Sequence, residues 1–141
     1  VRERRRARKL ALQMLFQIDL GGVLLDDVVK YFLERSDESE EIKDFALKIV
    51  KGTLENLKEI DSLIKERLQN WEFDRISNVD KNILRFAIYE LLYRDDIPVA
   101  VTINEAIEIA KEYSGSEAGK FVNGILDRIK QDKGIERKQS K

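Results

Sequence analysis

Apolar residues recur at three- and four-residue spacing along almost the whole chain, and its single proline is Pro98. That period calls for helices; no stretch alternates with period two for long enough to make a strand. Ala7, Leu10, Ala11, Met14, Leu15 and Ile18 form a first stripe, which Gly21-Gly22 ends. Val28, Val29, Phe32 and Leu33 share one side of a short second helix, and the acidic "SDESEE" loop leads to a third. There Ile42, Phe45, Ala46, Ile49 and Val50 define the buried face. Leu57, Ile60, Leu63, Ile64 and Leu68 continue the pattern past a break expected within residues 56–60, and Trp71 and Phe73 fall in a connector.

In "SNVDKNILRFAIYELLYR" Ser77 is the expected N-cap, with Asp80 near the positive helix end. Apolar residues wrap nearly all round this helix, which places it in the middle of a bundle. "TINEAIEIAKEY" reads as a capping box from Thr102 to Glu105, "SGSEAG" turns the chain, and "KFVNGILDRIK" forms the last helix. The expectation is an all-α fold of six to seven helices, one domain over residues 1–133 with a polar tail at 134–141.

The residue inventory narrows the chemistry. The chain has no His and no Cys, which removes Ser-His and Cys-His nucleophile pairs, thiolate zinc and histidine-ligated metals. No GxxxxGK[ST] or GxGxxG loop occurs. None of the 27 acids is expected in an apolar setting that would raise its pKa. The expectation is a protein that is not an enzyme and holds no metal or cofactor. No apolar run is long enough to cross a bilayer, so a cytoplasmic protein is expected, without membrane partners.

Charge supplies the functional lead. Formal net charge is −1, yet residues 2–9 hold Arg2, Arg4, Arg5, Arg6, Arg8 and Lys9 against Glu3 alone. On a helical wheel Arg2, Arg5, Arg6, Lys9, Gln13 and Phe16 lie opposite the apolar stripe, within an arc of roughly 100°. Phe16 is open to two readings: it packs on a neighbouring helix, or it is an aromatic platform at the end of a cationic row. Single-stranded nucleic acid needs that pairing, cations for phosphates and a flat ring for an unstacked base. A second candidate patch follows the Gly/Ser turn. There Lys120 and Phe121 stand near a helix start that Ser116 is placed to cap, whose free amides suit a phosphate. Gly124 reads as a site of close helix packing, and Gly119 as a place where a ligand backbone approaches.

"RRRARKLALQMLFQ", "VDKNILRFAIYELLYR", "TINEAIEIAK" and "GKFVNGILDRI", in this order and spacing, closely resemble the NusB family of bacterial transcription antitermination factors. The resemblance covers nearly the whole chain and is weakest over residues 20–70. It implies two small helical bundles packed across each other, no catalysis and no cofactor. It also implies binding to boxA-type single-stranded RNA of ribosomal RNA operons, together with NusE, a small-subunit ribosomal protein, on the RNA polymerase elongation complex. The positions it assigns to RNA are Arg4, Arg5, Arg6, Arg8, Gln13, Phe16, Tyr113, Glu117, Lys120 and Phe121, which the wheel extends with Arg2 and Lys9. Asp80 matches a region facing NusE. Two departures stand out: tyrosine is common in the family at Phe16, and aspartate at Glu117.

Two other readings compete. NusB-like domains are also fused to ribosomal RNA cytosine methyltransferases, which require an α/β domain with a cofactor loop and a nucleophilic cysteine, features these 141 residues lack. The other is a helical scaffold with a solvated basic tail, including a homodimer that would cover the RNA face.

Overall fold

Helix boundaries follow local chemistry for most of the chain. The computed structural model describes residues 2–69 and 72–135, with Arg2 described by its backbone only. Trp71 and the tail from residue 136 lie outside the described residues. Among the described residues there are seven α-helices and one short 3-10 turn, Phe73–Arg75, in the connector. The first helix, α1 (Arg2–Leu20), ends at the glycine pair, and α2 (Leu25–Arg35) buries only Val28 fully. Ser39 Oγ accepts from Ile42 N to start α3 (Glu40–Glu55), and all five residues expected on its buried face are buried. The break falls at Asn56, whose side-chain amide donates back to Gly52 O at 2.8 Å before α4 (Leu57–Lys65) begins.

Ser77 Oγ accepts from Asp80 N and caps α5 (Asn78–Tyr93) as expected. Two further helices, α6 (Val99–Ser114) and α7 (Ser116–Asp132), complete the chain's described part. Helices α2 and α3 each pack on α1; α4, α6 and α7 gather on α5, and α5 also packs on α1 and α3. The all-α architecture and the central position of α5 agree with the periodicity.

Some local expectations differ from the structure. Pro98, with its φ fixed near the helical value, is the N-cap of α6, so the helix begins three residues before the supposed capping box. Thr102 and Glu105 are therefore inside the helix, buried, and point at other helices. Ser116 is the first residue of α7 and not its cap, because Gly115 at φ +99° swings the chain directly from α6 into α7. The two glycines of α7 also differ from expectation. A Cβ on Gly119 would meet Lys111 Cγ at 2.7 Å, so this position serves close α6–α7 packing, whereas Gly124 is exposed with open space around it.

The helices are locked by charges inside the core. Arg8 is 1% exposed and Glu90 is fully buried. Arg8 Nε and Nη2 donate to the two Glu90 oxygens at 2.7 and 2.8 Å, Thr102 Oγ1 donates to Glu90 Oε1 at 2.8 Å, and Arg8 Nη1 lies 3.8 Å from Glu105. The forked geometry suits guanidinium and carboxylate and ties α1 to α5 and α6. Arg8 is therefore corrected from an RNA-contacting residue to a core residue: its guanidinium is already spent on Glu90 and has no path to a ligand. At the other end of α1, Asp19 meets Arg85 Nη1 at 3.2 Å, and Arg85 also donates to Asp61 of α4 at 2.8 and 2.9 Å.

Removing one member of a buried pair leaves the other charge without compensation, at about 3–5 kcal/mol. Glu90→Gln is expected to lower unfolding free energy by about that amount in urea titrations, while Arg8→Met with Glu90→Leu loses less. Elsewhere in the core, α3 approaches α5 so closely that a Cβ on Gly52 would collide with the Tyr89 ring. Gly52→Ala should cost about 1–3 kcal/mol in the same titration.

Candidate nucleic-acid interface

With Arg8 turned inward, the opposite side of α1 is fixed outward. Arg5 Nε and Nη2 donate to Glu105 at 2.9 and 2.6 Å, and Lys9 Nζ lies 2.7 Å from Glu112, so both reach across to α6. Because residue numbers rise together on both helices, the row runs along α6 toward its end. Arg6 takes the other direction and donates through Nε to both Glu38 oxygens at 3.0 Å. The row is thus a line of ion pairs rather than bare cations. Gln13 is exposed, and Phe16 is half-buried without belonging to the side chains packed on the hydrophobic core. Half-burial leaves part of the ring at the surface.

The second patch is built by the sharp Gly115 turn, which sets the last turn of α6 beside the first turn of α7. Tyr113 is 42% exposed, Glu117 and Lys120 stand in solvent as an i, i+3 pair at 3.3 Å, and Phe121 is half-buried. Ser114 Oγ donates to Asp80 Oδ1 at 2.8 Å, which fastens this turn to the start of α5. Asp80, Glu117 and Phe121 consequently line one open hollow of about 410 Å³ together with Arg75 and Ile76. The residue matched to the partner protein and two matched to RNA share one place.

Arg4 goes elsewhere. Its guanidinium lies 4.5 Å above the Phe45 ring, in a hollow between α1 and α3 that Lys48 and Arg94 also line. Arg94 lies over the same ring and donates to both oxygens of Asp96, holding that carboxyl below its ordinary range. The structure therefore brings Arg5, Arg6, Lys9, Gln13 and Phe16 onto one side of α1, leaves Arg4 on another, and says nothing of the Arg2 side chain. The spacing Arg4, Arg8, Ala11, Leu15 placed the first two on the flank of the apolar stripe, and that signal was available in the sequence.

One wall of the surface was not singled out from sequence. Arg6, Lys9 and Gln13 line a groove of about 530 Å³ whose opposite side is Tyr31, Phe32 and Arg35 of α2. Tyr31 is 52% exposed, and the Arg35 guanidinium sits 4.0 Å over its ring. The i, i+4 pair of an aromatic and an arginine was the signal for it.

The NusB family model matches residues 5–131. A transcription antitermination protein NusB of Pelotomaculum thermopropionicum is 46% identical over 126 residues, 89% of this chain and 88% of its own length. The Bacillus subtilis protein of the same description is 45% identical over 92% of this chain and 96% of its own. A solved structure of T. maritima NusB superposes with TM-score 0.84 at 45% identity, covering 92% of this chain and 91% of that one. Another, of antitermination factors NusB and NusE in complex with dsRNA, gives TM-score 0.85 at 29% identity over 94% and 98%. Agreement of that extent in both sequence and backbone makes the chain a member of the NusB family.

Proposed function

We propose that this protein is an RNA-binding transcription antitermination factor. It takes boxA-type single-stranded RNA together with NusE and serves elongating RNA polymerase in the cytoplasm as an adaptor without catalysis. The relatives carry the name transcription antitermination protein, and one structural neighbour joins NusB and NusE to RNA. The observation that carries the reading on this chain is the outward face of α1, with Arg5, Arg6 and Lys9 leading to Gln13 and Phe16. Among the described residues no helix is long and apolar enough to cross a membrane.

The neighbour's RNA is double-stranded. The single-strand preference rests instead on two partly exposed rings, Phe16 on the side of α1 that bears Lys9 and Gln13, and Phe121 next to Lys120 in the chain, as surfaces for a splayed base. In the free protein, carboxylates occupy the cations. The Arg6–Glu38 and Lys9–Glu112 pairs are open to solvent, so each is worth about 1 kcal/mol or less and yields readily to a phosphate. Gln13 offers an amide for a base edge, Tyr113 another ring, Lys120 a further cation, and Glu117 an acceptor for an exocyclic amine. Arg2 and Arg4 add positive potential near the helix start. Asp80, fastened to Ser114, forms the edge where the NusE-facing surface meets the RNA surface.

Fluorescence anisotropy of a labelled boxA-type oligonucleotide across a salt series tests this. Arg6→Ala with Lys9→Ala is expected to weaken binding about tenfold and to flatten the log–log salt slope by about 0.7 for each phosphate no longer neutralised. Phe16→Ala should cost about 1–3 kcal/mol, and added NusE should tighten binding by the parent chain. Parent-like affinity in both variants would remove α1 from the RNA site.

A further inference from the structure

The groove between α1 and α2 has a charge distribution that the α1 row alone does not suggest. On the α1 wall, Arg6 and Lys9 are both engaged by carboxylates, Glu38 and Glu112. On the α2 wall, Arg35 has no carboxylate partner among the described residues; its contacts are Tyr31 O at 3.5 Å and the Tyr31 ring. Arg35 is therefore the least neutralised cation lining the groove. The ring beneath it is half exposed and is braced edge-on by Phe32, centroids 5.2 Å apart. A guanidinium stacked on a tyrosine keeps its in-plane N–H donors free, because stacking uses its face and hydrogen bonding its edge.

We propose that α2 supplies a second wall for the RNA: Arg35 takes a phosphate, and Tyr31 stacks a base of a strand lying between α2 and the Arg6–Lys9–Gln13 side of α1. The inference rests on the RNA-binding reading and extends it to residues of the part of the chain where the family resemblance is weakest. Charge complementarity commits the groove to an anionic strand. Its lining carries three cations, Arg6, Lys9 and Arg35, against one acid, Glu38. Its two rings, Tyr31 and Phe32, adjoin on one wall, and Tyr31 stands half in solvent. Glu38 is the competitor. It spans the groove from Arg6, and a phosphate arriving there has to displace it.

These roles make opposite predictions for neighbouring residues. Tyr31→Ala should weaken binding of the labelled single-stranded boxA-type RNA about tenfold, Tyr31→Phe should retain parent affinity, and Arg35→Gln should weaken binding and lower the salt slope by about 0.7. Glu38→Gln should tighten binding several-fold, a gain that loss of a structural ion pair would not produce. Tyr31 and Arg35 are exposed, so thermal melting of their variants should match the parent. Parent affinity for Tyr31→Ala and Arg35→Gln alongside weakening by Phe16→Ala overturns the second wall and leaves the proposed function standing. Parent affinity in all of these, Phe16→Ala included, overturns both. If Tyr31→Ala loses NusE binding while RNA binding is intact, the groove is a protein interface and the inference is wrong.

Discussion

The Arg8–Glu90 pair sets the orientation on which the rest of the molecule depends. A chain with five arginines among its first eight residues has several rotations of its first helix that would leave some of them in water. Burying Arg8 against Glu90, itself held by Thr102, and near the edge of Glu105 selects one. The Asp19–Arg85 contact pins the far end of the same helix to the same partner, α5. Ionic groups in a core add little net stability over well-packed apolar ones, but an unpaired charge there is costly, so alternative rotations are penalised. The specificity of the fold and the placement of its binding face then have one cause.

From that fixed rotation the outer surface follows. Rotated away from Arg8 around the helix stand Arg5, Lys9 and Gln13, none of which is paired with Glu90. The cations among them, with Arg6, find carboxylates on α6 and before α3, and where water reaches a pair it stays weak. Arg5 is the intermediate case. Its partner Glu105 is buried, and hydrogen bonding to that carboxylate raises its pKa. It thus joins the internal network to the exposed one. A surface of weakly held ion pairs keeps its cations ordered and avoids a bare positive field that would attract any polyanion. Under the proposed function, exchange of protein carboxylates for phosphates, with the Phe16 ring at the end of the row, is the physical basis for selecting RNA strands.

Periodicity carried the parts of this account that depend on one helix at a time. The stripe of α1, the buried face of α3, the break at Asn56 and the Ser77 cap are local patterns, and each was legible. What was missed depends on partners distant in the chain. Thr102 and Glu105 match a capping box in spacing, but Pro98 starts the helix earlier and the side chains bond to Glu90 and Arg5 instead. The spacing put Arg8 on the flank of the apolar stripe, but its full burial depends on a buried glutamate 82 residues away. Gly119 and Gly124 differ only in what stands opposite, Lys111 in one case and open space in the other. The α2 wall was overlooked because its apolar pattern is a short one and the chemistry lies on its exposed side.

The central claim is that the inward turn of Arg8 directs one side of α1, and not the other, toward RNA. Photo-crosslinking of a 4-thiouridine-substituted boxA-type RNA to the full chain, mapped by mass spectrometry, tests it most directly. The account predicts adducts on the side bearing Gln13 and Phe16 and at the α6–α7 turn near Tyr113 and Phe121. Adducts concentrated instead around Phe45 and Lys48, in the hollow on the opposite flank of α1, would contradict it.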